Sequence, residues 1–162
     1  MIYILLGIVT IPVLIFLGIQ DIRERMIYAF PALFLSGLWC ALSVKIYWDD
    51  PIILASIWGM TIAFYSAFRV ISFWGAGDSD MFLLCVGVMM CTFRITSIVQ
   101  YGFFVCASMV FTQLIALLGG WIESLIKKKK LNRFSDVAVV PGFSVLMVIW
   151  IAVGIVRRGV II

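Results

Sequence analysis

Residues 2 to 21 read IYILLGIVTIPVLIFLGIQD, an apolar run that is followed closely by Asp21. About 20 mostly apolar residues are enough for a helix to cross the hydrocarbon core of a bilayer. A carboxylate at the edge of such a span is expensive to keep and points to function. The stretch therefore predicts a membrane protein and makes Asp21 its first candidate functional residue. No basic residue precedes the run, so we expect it to be a retained helix rather than a cleaved signal.

The composition of the whole chain agrees with this prediction. Of its 162 residues 65% are hydrophobic, and the mean hydropathy is +1.21, whereas soluble domains are nearer half apolar. We predict a single all-α domain over residues 1–162, a bundle of about six transmembrane helices. The six apolar blocks run Ile2–Gln20, Phe30–Trp48, Ile52–Phe73, Met81–Ile98, Tyr101–Ile126 and Gly142–Val156.

The basic residues predict how this bundle is oriented. Connections between successive spans alternate sides, and eight of the twelve Lys and Arg residues fall on one side. These eight are Arg23, Arg25, Arg69, Lys127, Lys128, Lys129, Lys130 and Arg133. The positive-inside rule places that side in the cytoplasm and both chain ends outside. We expect the run Lys127–Lys130 to touch anionic lipids, and we expect no nucleic-acid partner.

A second aspartate lies on the same predicted side. Asp78 ends the sequence Gly75-Ala76-Gly77-Asp78, just before the fourth apolar block. A six-helix bundle permits Asp21 and Asp78 to converge but does not require it. Two close carboxylates cannot both ionise easily, so one takes a proton from water while the other donates to a peptide carbonyl. The sequence therefore suggests an acid–base pair for peptide hydrolysis that needs no metal or cofactor.

The residues around the pair have simpler readings as well. Gly75 and Gly77 are expected to provide positive φ or a close backbone approach. Asp80 is expected to be a first-turn acid that the dipole of the fourth helix favours. Asp78 is also suited to capping that helix, and Asp21 to an interfacial charge cluster at the end of the first.

Other catalytic chemistries find little support in the sequence. The chain contains no histidine, which excludes Ser-His-Asp catalysis as usually built and zinc held by histidine. Its four cysteines fall inside apolar blocks and form no C-x-x-C pair, so we interpret them as reduced packing residues.

The two aspartate motifs resemble those of a known family. The residues are Asp21-Ile22-Arg23-Glu24-Arg25-Met26-Ile27 after the first span and Gly75-Ala76-Gly77-Asp78 before the fourth. Together with six spans and Pro141 opening the last, they resemble the bacterial type IV prepilin peptidases, which are GxGD-type intramembrane aspartyl proteases. The resemblance covers the whole chain. It implies that Asp21 and Asp78 are the catalytic pair, with Gly75, Gly77 and Asp80 shaping the loop or binding substrate.

The resemblance also implies a substrate and a location. The family removes the short basic leader of prepilins or pseudopilins at the cytoplasmic face of the inner membrane, after a glycine and before an apolar helix. This chain departs from the family at Tyr28-Ala29, where Pro-Asn is common, and at Asp80, where lysine is common. Nothing corresponds to the cysteine-containing cytoplasmic domain of larger members, so the chain looks like the short, peptidase-only form of Tad-type pilus systems.

Two other functions remain open at this point. One is a small transporter, or a pilus or secretion assembly factor, whose acidic residues bind a cation or a proton. The other is an inactive member of the same fold, which the departures at Tyr28 and Asp80 motivate.

Overall fold

The computed structural model of the protein describes residues 1–71, 75–127 and 138–159. Six helices are found among these residues, and each is long and apolar enough to span a membrane. The predicted all-helical, multi-pass architecture is confirmed at this level. The helices are α1 (Ile2–Glu24), α2 (Ala29–Ile46), α3 (Pro51–Val70), α4 (Ala76–Phe93), α5 (Ile98–Lys127) and α6 (Val140–Gly159).

Two boundaries differ from the predicted blocks in a way that matters for the site. α1 continues to Glu24, so Asp21 lies inside its last turn rather than after it. α4 begins at Ala76, so Asp78 lies in its first turn rather than in a loop. Hydropathy missed these turns because their residues are polar or small, yet backbone hydrogen bonds continue through them. The predicted lipid contact of Lys127–Lys130 concerns side chains outside the described residues.

The centre of the bundle is α4. It is the most buried of the six helices and packs against α2, α3 and α6. Gly87 allows α2 to come close, because a methyl group there would lie 2.9 Å from Cβ of Trp39. Small residues at such crossings let helices gain van der Waals contact where lipid removes the usual hydrophobic driving force.

One end of the bundle is fastened by a cluster of polar contacts, which we call the Tyr3 cluster. The Tyr3 hydroxyl of α1 and Thr92 Oγ1 of α4 share a hydrogen bond of 2.8 Å. Arg158 of α6 donates to the Cys91 carbonyl at 2.8 Å and lies 3.9 Å from the centre of the Tyr3 ring. Helices α1, α4 and α6 are therefore held in register at this end.

The register of these three helices also determines which of their turns meet at the opposite end of the bundle, which we call the aspartate end. Asp21 is 18 residues from Tyr3 along α1, and Val140 is 18 residues from Arg158 along α6. At 1.5 Å per residue both are about 27 Å from the Tyr3 cluster. Asp78, 14 residues from Thr92, is about 21 Å away by the same measure. The last turn of α1 and the first turns of α4 and α6 therefore meet at one end.

A second close crossing fixes the start of α6. A methyl group on Gly142 would lie 2.7 Å from the carbonyl oxygen and 2.9 Å from Cα of Thr112 in α5. Both atoms belong to helical backbone, which cannot move aside as a flexible side chain does. Gly142 is therefore required for the approach of α6 to α5 beside the aspartate end.

We expect Gly142→Val to destabilise the protein by about 1–3 kcal/mol, the usual cost of overpacking. The matched control is Gly59→Val, because nothing lies within 4 Å of a methyl group at Gly59 in α3. The thermal midpoint in detergent can be followed with a thiol-reactive dye, since Cys85 and Cys91 are free and buried. Equal midpoints for the two variants would contradict the proposed α5–α6 contact.

Candidate active site

Asp21 accepts a hydrogen bond from the N-terminus of α6. Its Oδ2 accepts the backbone N–H of Val140, the first residue of α6, at 3.1 Å, across 119 positions of sequence. The residue is only 7% exposed. The first N–H groups of a helix lack partners within that helix, and its N-terminus favours negative charge. Asp21 is thus a buried acid that links the end of α1 to the start of α6.

Asp78 is placed by the first turn of its own helix. Gly75 precedes α4 as its N-cap residue, and the Gly75 N–H donates to Asp78 Oδ2 at 3.2 Å. The capping role that the sequence allowed is therefore present. It occupies one carboxylate oxygen and leaves the acid partly exposed at the aspartate end.

The structure brings Asp21 and Asp78 together. The two carboxylates lie near enough for the charge of Asp21 to act directly on Asp78. Each also lies at a helix N-terminus, α6 for Asp21 and α4 for Asp78. The dipoles of α4 and α6 favour negative charge at this place, whereas the C-terminal end of α1, which carries Asp21, and the repulsion between the two carboxylates oppose it.

The glycines of the motif act differently from the expectation of positive φ. Gly75 has a φ of −58°, and no glycine in the described segments has a positive φ. A methyl group on Gly77 would instead lie 2.5 Å from Cγ1 of Ile27, in the connection after α1. A close approach is present, but the neighbour is the side chain of Ile27 rather than a backbone or substrate segment. Gly77 thereby lets the segment that follows Asp21 pack onto the turn that holds Asp78.

Asp80 is not the first-turn acid that was expected, since only Asp78 occupies that turn. Its side chain is 1% exposed and points toward α3. The Tyr65 hydroxyl donates to Asp80 Oδ1 at 3.0 Å, and Arg69 donates to that hydroxyl at 2.7 Å. Asp80 Oδ2 is buried without a hydrogen-bond partner among the described residues. The carboxylate is therefore a buried link between α3 and α4.

Two contributors to the site were missed from the sequence: Val140 and Tyr65. Val140 acts through its backbone, for which no side-chain pattern exists. Ile27 belongs to the motif after the first span, but its contact with Gly77 was not predicted. Tyr65 did leave a signal, because it lies four residues before Arg69 and shares its helix face.

The described residues contain no group of three or more His, Cys, Asp or Glu side chains placed to hold a metal ion. No family model matches the chain, and neither a curated protein nor a solved structure does. The residues of the site and the motif resemblance are therefore the two sources of information on its chemistry.

Gly77→Val should lower the thermal midpoint, because the new side chain meets Ile27. We expect the free energy of unfolding to fall by about 1–3 kcal/mol. Adding Ile27→Ala should recover a large part of this loss, since the two residues are in direct contact and contacting pairs couple by about 0.5–3 kcal/mol. If the losses of the two single variants simply added up in the double variant Gly77→Val/Ile27→Ala, the proposed packing would be ruled out.

Tyr65→Phe should destabilise the protein by about 1–3 kcal/mol, because it leaves Asp80 Oδ1 buried without its donor. Asp80→Asn should cost less, since it removes a buried charge and keeps an oxygen that can accept from Tyr65. The control is Tyr28→Phe, whose side chain is 62% exposed. Equal thermal midpoints for Tyr65→Phe and Tyr28→Phe would show that the link between α3 and α4 contributes nothing.

Proposed function

We propose that this chain is an intramembrane aspartyl endopeptidase that removes the basic leader of type IV prepilin-like proteins. The observation that carries the proposal is the meeting of Asp21 and Asp78 at one end of a six-helix bundle. Residues 57 positions apart in sequence have no local reason to meet. The motif resemblance supplies the substrate class, and the geometry supplies a reason why these two acids act as a pair.

The proposed mechanism uses one proton shared by the two carboxylates. The Val140 N–H and the nearby charge of Arg25 together favour placing the negative charge on Asp21, which then takes a proton from the attacking water. Asp78, in its protonated form, donates a hydrogen bond to the peptide carbonyl. As the tetrahedral intermediate collapses, a proton passes to the leaving amine and the pair returns to its single-proton state.

The position of the pair suits this reaction. Hydrolysis needs water, and the ends of membrane-spanning helices are closer to water than their centres are. Asp21 lies in the last turn of α1, and Asp78 in the first turn of α4. A leader that emerges from the bilayer surface would reach both acids without crossing the hydrocarbon core.

The orientation belongs to the same proposal. The positive-inside rule places the aspartate end in the cytoplasm, where prepilin-like leaders are found, with both termini outside. The protein would then reside in the inner, cytoplasmic membrane. Its partners would be a prepilin or pseudopilin and the surrounding lipids.

We expect Asp21→Asn and Asp78→Asn each to abolish leader cleavage, because each removes one member of a unit that needs both. The readout is the gel shift of a co-expressed prepilin, alongside immunoblotting to show that each variant accumulates. Asp80→Asn should reduce cleavage less, since Asp80 faces Tyr65 and α3. Normal processing by either Asp21→Asn or Asp78→Asn would refute the assignment.

A cation- or proton-binding function is the second candidate, and the observation in its favour is that Asp80 Oδ2 is buried with no hydrogen-bond partner in the part of the chain that the structure describes. Asp21→Glu and Asp78→Glu separate the two functions when leader cleavage and cation binding to the purified protein are both measured. A catalytic pair tolerates neither change, because an added methylene moves the carboxylate away from the reacting atoms. A cation site would retain partial function in these charge-conserving variants.

Reporter fusions test the orientation without depending on activity. Fusions after Arg25 and within Lys127–Lys130 should report cytoplasm, and a fusion after Ile162 should report the outside, since charge asymmetry sets topology. A cytoplasmic C-terminus would mean that the number of spans or their orientation is wrong.

A further inference from the structure

A groove with mainly apolar walls lies beside Asp21, with a volume of about 370 Å³. We call it the Pro141 groove. Its walls come from the end of α1, the last turns of α5 and the start of α6. They include Ile22, Ile115, Gly119, Ile122 and Pro141. Ile22 follows Asp21 directly, and Pro141 follows the residue whose N–H Asp21 accepts. The groove therefore begins next to Asp21 on α1 and next to its hydrogen-bond partner Val140 on α6.

We propose that the Pro141 groove binds the apolar segment of the peptide substrate, on the far side of the scissile bond from the basic leader. This inference rests on the proposed function, because it assigns a binding site to the same reaction. It commits to a peptide segment as the occupant, and a lipid acyl chain is the alternative that the experiment must distinguish.

The length of α5 supports a peptide that crosses the bilayer boundary at this point. α5 has 30 residues, which is about 45 Å of helix, against a hydrocarbon core of about 30 Å. The α5 wall of the groove, residues 115–123, belongs to the last half of this helix. Unless α5 is strongly tilted, this wall passes from hydrocarbon into the interface, as the junction between an apolar helix and a basic leader does.

The charges at the rim match such a substrate. Glu123 of α5 forms an ion pair with Arg25, and both side chains are 31% exposed. The pair is partly exposed, so a lysine of the leader can reach Glu123 from the rim while the apolar segment occupies the groove.

A second groove on α5 provides the internal comparison. We call it the Phe103 groove, after one of its residues. It has a volume of about 420 Å³ and is lined by apolar side chains and Cys106, all from α5. It contains no charged residue, whereas Arg25 and Glu123 line the Pro141 groove. A lipid-filled depression on this helix should look like the Phe103 groove rather than the Pro141 groove.

Gly119→Leu and Gly102→Leu form the matched pair of variants for the kinetic test. Both glycines lie on α5, and nothing stands within 4 Å of a methyl group at either position. Both variants should therefore fold, but only Gly119→Leu fills the Pro141 groove.

The probes are two synthetic peptides with the same basic leader and glycine. One continues into a full apolar segment, and the other ends three residues after the scissile bond.

We expect Gly119→Leu to raise KM for the long peptide about tenfold with little change in kcat, the scale on which a few methylenes alter an apolar pocket. KM for the short peptide should stay within about twofold, and Gly102→Leu should match the wild type on both peptides. Wild-type kinetics of Gly119→Leu on the long peptide would overturn the groove assignment while leaving the peptidase intact.

Photo-crosslinking tests the groove without relying on turnover. In the Asp21→Asn protein, p-benzoylphenylalanine replaces Ile122 in the Pro141 groove or, as control, Phe103 in the Phe103 groove. We expect the long peptide to be captured at position 122, through its apolar segment, and not at position 103. Capture of lipid alone at position 122, or equal capture of peptide at both positions, would overturn the proposal. Peptide capture at position 122, together with no cleavage of either peptide by the wild-type protein, would refute the proposed function instead.

Discussion

The hydrogen bond between Asp21 and the Val140 N–H is the contact on which the candidate site depends. It joins the last turn of α1 to the first turn of α6 and closes an N-terminus that would otherwise keep an unpaired donor in a buried place. The same carboxylate acts electrostatically on Asp78. A residue that secures the bundle is therefore also a member of the proposed catalytic pair.

The close contacts between the helices depend on three glycines. Gly142 lets α6 approach the backbone of α5, Gly77 lets Ile27 pack onto the start of α4, and Gly87 lets Trp39 pack onto its middle. The Tyr3 cluster fixes the register of α1, α4 and α6 from the opposite end. The close helix crossings and the Tyr3 cluster thus place two distant carboxylates at one end of the bundle, where the proposed hydrolysis would have access to water.

The sequence predicted the six helices, because hydropathy reports directly on which segments lipid can surround. It also identified Asp21 and Asp78 as candidates, since acids at the edges of apolar runs are rare.

The sequence did not reveal that both acids lie inside helices. The capping bond to Gly75 and the continuation of α1 to Glu24 are made by backbone hydrogen bonds, which side-chain patterns do not report. Positive φ at Gly75 and Gly77 was wrong, since a helix N-terminus needs none. The burial of Asp80 against Tyr65 arises from the packing of α3 on α4, which local sequence does not encode.

If Asp21 and Asp78 together activate water for peptide hydrolysis, oxygen from the solvent must enter the product. Purified protein incubated in ¹⁸O-labelled water with a synthetic peptide of basic leader, glycine and apolar segment tests this. We expect cleavage after the glycine, one ¹⁸O atom in the new leader carboxyl group, and no product from Asp21→Asn or Asp78→Asn. Absence of any cleavage by wild-type protein that is folded by its thermal midpoint would contradict the proposed reaction.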